Sequence, residues 1–240
     1  MGPSRTGAAV GERVFVALEG IDGAGKSSTA VAVAARLGQR GHTVRLVRHN
    51  AAEPDDPFVA EYLHGLRALQ QMSLRGPYFR LGDPHWVLIR ASYYALVDRC
   101  VITPALERGH VVVADGWFHK FVARIAAGGV RAGGDFDRPE QILPLFAPVR
   151  RPDRVFLLDT PVATAAARRM ADVNPGELGP QNAETSTPEA AFVTYQSAVR
   201  GHLLSMAVPG RWHVVRTALR DVAGIAAEVC ADLEVLREAG

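Results

Sequence analysis

A chain of 240 residues with 48% hydrophobic and 22% charged residues has an ordinary globular composition and enough length for one sizeable core, so a single α/β domain is the starting expectation. A formal net charge of +2, with arginines dispersed rather than clustered among aromatics, argues against a nucleic-acid surface. Cys100 and Cys230 form neither a zinc-ligand pair nor a disulfide framework, and no apolar run is long enough to span a bilayer; a cytoplasmic protein with no membrane partner is expected.

Residues 1–12 are small, polar and Gly-rich, and read as a flexible N-terminus ahead of one domain over 13–240. Val14 to Leu18 is a continuous apolar run of the kind found in strands buried on both faces. A Gly-rich turn follows, then apolar residues at helical spacing from Lys26 to Leu37, a stop signal at Gly41, and a second strand from Thr43 to Val47. This β-loop-α-β start imposes a parallel sheet with right-handed crossovers. The Pro- and Gly-punctuated stretch of about 50–85 reads as short helices and loops able to cover a site. A long helical pattern from Trp86 to Glu107 leads into a strand from His110 to Ala114 that ends on Asp115. Arg154 to Leu158, ending on Asp159, and Trp212 to Val215 supply two more strands, with helical patterns over 161–171, 187–207 and 219–237. The polar stretch of about 171–188 reads as a mobile lid.

Gly20-Ile21-Asp22-Gly23-Ala24-Gly25-Lys26-Ser27 matches G-x4-G-K-[ST] between a predicted strand and a predicted helix. Glycines let backbone N–H groups close around phosphates, and the helix N-terminus adds partial positive charge. Gly20, Gly23, Ala24, Gly25, Lys26, Ser27 and Ser28 are therefore the expected ATP-binding residues. Lys26 would bridge the β- and γ-phosphates, and the Ser27 hydroxyl would ligate Mg²⁺. Asp22 can face the acceptor or the metal, and otherwise is a turn residue. Asp115, at a strand end where open α/β sheets place ligands, can hold the Mg²⁺ water shell or orient an attacking hydroxyl, and otherwise is a helix N-cap. No histidine pair has metal-ligand spacing, and no serine sits in a nucleophile elbow. His119 is more readily a core or surface histidine than an acceptor contact. Tyr93, Tyr94 and Trp86 can line a pocket or a core.

The string FVALEGIDGAGKSSTA resembles the thymidylate kinase form of this loop, with E-G before it and D-G-x-G-K-[ST] within it. The resemblance continues in ITPALERGHVVVAD (Ile102–Asp115) and LLDTPVATAAARR (Leu157–Arg169). It implies a three-layer αβα P-loop fold with a five-stranded parallel sheet and a lid, ATP as donor, Mg²⁺ as cofactor, a small phosphate acceptor and a homodimer. The acceptor side departs from the family pattern. The T-R-E-P-like stretch becomes Val47-Arg48-His49-Asn50, and D-R-[YH] becomes Asp115-Gly116-Trp117. The family's base-reading arginine falls on Tyr94, its stacking aromatic on Arg90 and its base-contacting glutamine on Ile125. Arg48, Arg90, Tyr94, Trp117 and Arg124 are then the acceptor-side candidates, and Arg48 joins Lys26, Asp22 and Asp115 in the catalytic set. No arginine lies between Ala171 and Thr187, so Arg168, with Arg169 beside it, is the nearest source of a lid cation. The expected activity is transfer of the γ-phosphate of ATP to a nucleoside monophosphate or similar acceptor other than standard thymidine monophosphate. A kinase of a non-nucleotide metabolite and a nucleotide-binding regulator with little turnover are the alternatives.

Overall fold

The computed structural model describes residues 13–48, 53–72, 81–128, 135–180 and 187–238. The strands are β1 (Phe15–Glu19), β2 (Val44–Arg48), β3 (Val111–Asp115), β4 (Arg154–Asp159) and β5 (Trp212–Arg216). They form one parallel sheet in the order β2-β3-β1-β4-β5. β1 and β3, at its centre, are buried along their whole length, as their uninterrupted apolar sequences require of strands covered on both faces. The helices α1 (Lys26–Gln39) and α9 (Val222–Glu238) pack on each other. On the other side, α5 (Phe118–Gly128) packs on α3 (Gly82–Val97) and α8 (Pro188–Ser205). Right-handed crossovers in this strand order give those two faces, so the architecture is the expected α/β sandwich.

Chain reversals follow local chemistry. α1 ends where Gly41 takes φ 88°, and the N–H groups of Gly41 and His42 donate back to Gly38 and Leu37. The expected helix from Trp86 to Glu107 begins earlier, at Gly82, and is interrupted by a π turn over Asp98–Ile102 before α4 (Thr103–Glu107). Pro104 has no N–H to donate, and a widened turn just ahead of it is the local accommodation.

Two expectations are corrected. Within the segment of about 50–85, residues 57–72 form one sixteen-residue helix, α2 (Pro57–Met72), rather than short pieces; 49–52 and 73–80 lie outside the described residues, as do 1–12. Between Asp115 and Arg154, where the sequence reading places no helix, the chain forms α5, one-turn α6 (Pro139–Ile142) and a 3₁₀ turn over Leu143–Phe146. α5 was legible in principle, because Phe118, Val122 and Ala126 recur at helical spacing and are all buried. Within the stretch of about 171–188 expected to be a lid, α7 (Val162–Arg169) leads into two 3₁₀ turns, Met170–Asp172 and Pro175–Glu177; 181–186 lie outside the described residues. Among the described residues no helix is long and apolar enough to cross a membrane.

Candidate functional site

β1 delivers the chain into the phosphate loop at the carboxyl edge of the sheet, where flanking strands diverge. Gly23 adopts φ 79°, and a Cβ there would lie 2.6 Å from the Ala165 carbonyl oxygen, so the loop reaches this close to α7 only with glycine. Gly25 caps α1 in the left-handed region with no side-chain cap, which leaves the first N–H groups of the helix facing the loop interior. The Lys26 ammonium donates to the carbonyls of Gly20 (2.9 Å) and Ile21 (2.8 Å).

These elements open onto a cavity of about 540 Å³. Gly23, Gly25, Lys26, Ser27 and Ser28 line it from the loop and the start of α1; Arg48, Asp115, Gly116 and Lys120 line it from the ends of β2 and β3 and the start of α5; Arg169 and Glu177 line it from the end of α7 and the 3₁₀ turn that follows. Ala24 is buried behind the loop, and a Cβ on Gly20 would come within 2.9 Å of the Leu158 carbonyl oxygen, so both shape the turn from below.

Asp22 is the electrostatic centre. Its carboxylate is paired with Lys120, and its Oδ2 accepts from Gln196 Nε2 at 3.2 Å while its N–H donates to Gln196 Oε1. Burial would raise this carboxyl, but Lys120, Arg124 and Lys26 outweigh it and hold the group well below the usual carboxylate range. Lys26 is lowered to about 8, by burial first and then by Lys120, against the opposing pull of Asp22, Asp115 and Glu19. Glu19, fully buried, accepts from the N–H groups of Trp117 (3.1 Å) and His119 (3.2 Å) and contacts His119 Nδ1 at 3.1 Å, which fixes the turn from β3 into α5. His119 is thus a core histidine.

On the acceptor side, Arg48 and Asp115 are register partners at the ends of β2 and β3, and both line the cavity. Arg124 donates to the Gly176 carbonyl and so ties α5 to the lid. Arg90 lies 5.6 Å from the Phe121 ring centroid, and its buried Nη1 has no hydrogen-bond partner among the described residues. Tyr94 is a correction. It is 1% exposed, its ring packs edge-on to Trp117 (4.8 Å) and Phe118 (6.3 Å), and its hydroxyl donates to the Trp117 carbonyl. Trp117 borders the cavity, and its indole packs against Phe15 and donates through Nε1 to the Arg150 carbonyl. Both rings belong to the core that an apolar strand end buries. Ile125 likewise packs against that core.

Arg168 stands outside the cavity and donates to the Gly23 carbonyl at 3.2 Å. Arg169, the last residue of α7, lines it and is held by Glu177 through bonds of 3.0 and 2.7 Å. Sequence reasoning missed Lys120, Glu177 and Gln196. Lys120 carried one signal: of the 27 basic residues, only Lys26 and Lys120 are lysines. Glu177→Ala should free residues 171–180, because removing one partner of a nearly buried pair costs roughly 1–3 kcal/mol. Amide exchange there should quicken about tenfold or more; unchanged exchange would mean that the 3₁₀ turns hold themselves.

The residues fit a nucleotide's phosphates with a magnesium ion. Ser27 and Asp115 share the cavity, and a hydroxyl plus one carboxylate is a Mg²⁺ donor set that phosphate oxygens and water complete. A dedicated metal cage is a different arrangement, and no cluster of three or more His, Cys, Asp or Glu occurs among the described residues.

The family model for thymidylate kinase matches residues 18–219, which include every wall of this cavity. The chain is 32% identical over 225 residues to a thymidylate kinase of Bordetella petrii, covering 93% of this chain and 96% of that one. It is 29% identical to a thymidylate kinase of Desulforudis audaxviator (84% and 82% covered) and 29% identical to one of Bifidobacterium longum subsp. infantis (93% and 87% covered). With the loop, the strand order and these relatives in agreement, the chain belongs to the thymidylate kinase family of phosphotransferases.

Proposed function

We propose that this protein passes the γ-phosphoryl group of ATP to a nucleoside monophosphate other than thymidine monophosphate, giving a nucleoside diphosphate and ADP. One observation carries the second half of that reading: the position of the family's base-reading arginine is a tyrosine sealed in the core, with its hydroxyl committed to a backbone carbonyl. In the reaction an acceptor phosphate oxygen attacks the γ-phosphorus as the bond to the β–γ bridging oxygen breaks. Lys26 and the loop N–H groups carry the donor's phosphates, and Arg169 faces the transferring group from the lid. Mg²⁺, when bound at Ser27 and Asp115, would neutralise charge on the β- and γ-oxygens. A homodimer is proposed from the family likeness.

A non-nucleotide acceptor is the second reading, favoured by the same loss of base-reading groups at Tyr94 and Ile125. A binder without turnover has less support, because Lys26, Ser27, Asp22 and Asp115 are all retained around one cavity. An ADP-release screen over the common nucleoside monophosphates, their nucleosides and hydroxylated metabolites separates the three. Turnover is expected with at least one monophosphate and not with its nucleoside. Arg48→Ala should raise the KM of that acceptor about tenfold or more, since a charged contact contributes about 1.5–3 kcal/mol. Turnover of nucleosides alone, with an Arg48→Ala variant unaffected, would favour an uncharged acceptor.

A further inference from the structure

We propose that Lys120 is the cation that binds the acceptor's phosphate, replacing the arginine that the family pattern places at Gly116 and exchanging its Asp22 partner for that phosphate when the acceptor enters. The inference rests on the reading of the cavity as a nucleoside monophosphate kinase site.

Gly116 leaves the floor beyond Asp115 without a side chain, and Lys120 and Arg48 line the cavity together with it. Lys120 follows Gly116 by four residues, in the first turn of α5. That turn is held rigidly: Glu19 accepts from the backbone of Trp117 and His119, and Phe118 and His119 are buried. The ammonium is thus delivered from fixed backbone, as a recognition group must be. Arg48 can share this phosphate with Lys120, while the remaining arginines nearby are less available. Arg169 is clamped by Glu177, Arg124 donates to Gly176, and Arg90 is not among the residues lining the cavity. Lys120 can leave Asp22 without stranding it, because Gln196 Nε2 still bonds the other carboxylate oxygen. At equal distance a dianionic phosphate attracts an ammonium more strongly than a single carboxylate does.

The chain offers a direct assay, since Lys26 and Lys120 are its only lysines. Wild-type protein is treated with a limiting amine-acylating reagent, and each lysine is read by peptide mass spectrometry with no ligand, with a non-hydrolysable ATP analogue, and with each of thymidine, uridine, cytidine, adenosine and guanosine monophosphate. At least one monophosphate should shield Lys120, whereas the ATP analogue should shield Lys26. In parallel, Lys120→Ala should weaken binding of the shielding monophosphate about tenfold or more while leaving ATP-analogue affinity within about twofold, and Lys120→Arg should recover most of the loss. Shielding of Lys120 by no monophosphate, or by the ATP analogue alone, overturns the inference; so does a Lys120→Ala variant that loses both ligands equally, which is the mark of a purely structural partner of Asp22. If the variants fail to fold, the labelling of wild-type protein decides. Shielding without turnover would leave the inference standing and overturn the functional reading instead.

Discussion

Lys26→Met should lose phosphoryl transfer by about 10²-fold or more and, at neutral pH, melt at a higher temperature than the wild type. The first effect follows from removing a preorganised charge aimed at the transferring phosphate, a contact of the kind that costs at least that much when deleted. The second follows from the site's electrostatics. Burial and the neighbouring Lys120 lower Lys26 from 10.5 to about 8, so the folded state releases this proton more readily than the unfolded chain does. A folded pKa below the unfolded one means that the charged lysine works against folding below pH 8, and that this cost disappears as pH rises from about 8 to 10.5. The full shift corresponds to about 3 kcal/mol, but Lys26 lines an open cavity, and solvent screening reduces that to roughly 1–2 kcal/mol. Methionine keeps the stem and removes the charge. The variant's advantage in thermal melts should therefore be present at pH 7 and shrink to nothing above pH 10.5. ATP reverses the argument, because phosphate oxygens supply the counter-charge, so a saturating ATP analogue should stabilise the wild type more than the variant. Turnover above about a tenth of wild type would show that Lys26 is not catalytic, and equal melting at every pH would show that its charge does not oppose folding.

The parts of this molecule that could be read from its sequence are those whose physics is local. β1 and β3 are continuous apolar runs because both faces of a central parallel strand are covered, and the loop between β1 and α1 must spell its glycines in order. What was missed depends on partners distant in the chain. Gln196 is polar and lies in the middle of α8, yet it is buried because Asp22 and the Glu177 carbonyl satisfy it from two other segments. Glu177 made the lid look solvated, although Arg169 and Asn174 allow its carboxylate to be buried. Tyr94 and Trp117 sit at positions where the family reads its acceptor, and register alone could not show that their rings turn into the core. Lys120 belongs to no motif.

Thymidine monophosphate should be a poor acceptor despite the thymidylate kinase relatives. The loop and the strands that carry the likeness in the sequence handle ATP in the same way whatever the acceptor. Base discrimination rests on few polar contacts, each worth about 1–3 kcal/mol when its partner is present. Two of those positions here are Tyr94, which is buried and donates its hydroxyl proton to the Trp117 carbonyl, and Ile125, which has no polar side-chain atom to offer. Losing both is a loss of about 2–6 kcal/mol, or roughly 30-fold to 10⁴-fold in preference for thymine over other bases. The phosphate end of the acceptor keeps Arg48 and Lys120, so the deficit should fall on the choice of base rather than on recognition of a monophosphate. Steady-state kinetics over the five monophosphates should therefore rank another base first, or rank several about equally, with thymidine monophosphate well behind the best. A kcat/KM for thymidine monophosphate near 10⁵ M⁻¹s⁻¹, ordinary for an enzyme on its own substrate, together with at least tenfold lower values for the other four, would falsify this reading. It would mean that groups other than Tyr94 and Ile125 read thymine here, and Arg90, whose buried Nη1 has no hydrogen-bond partner among the described residues, would be the first to replace.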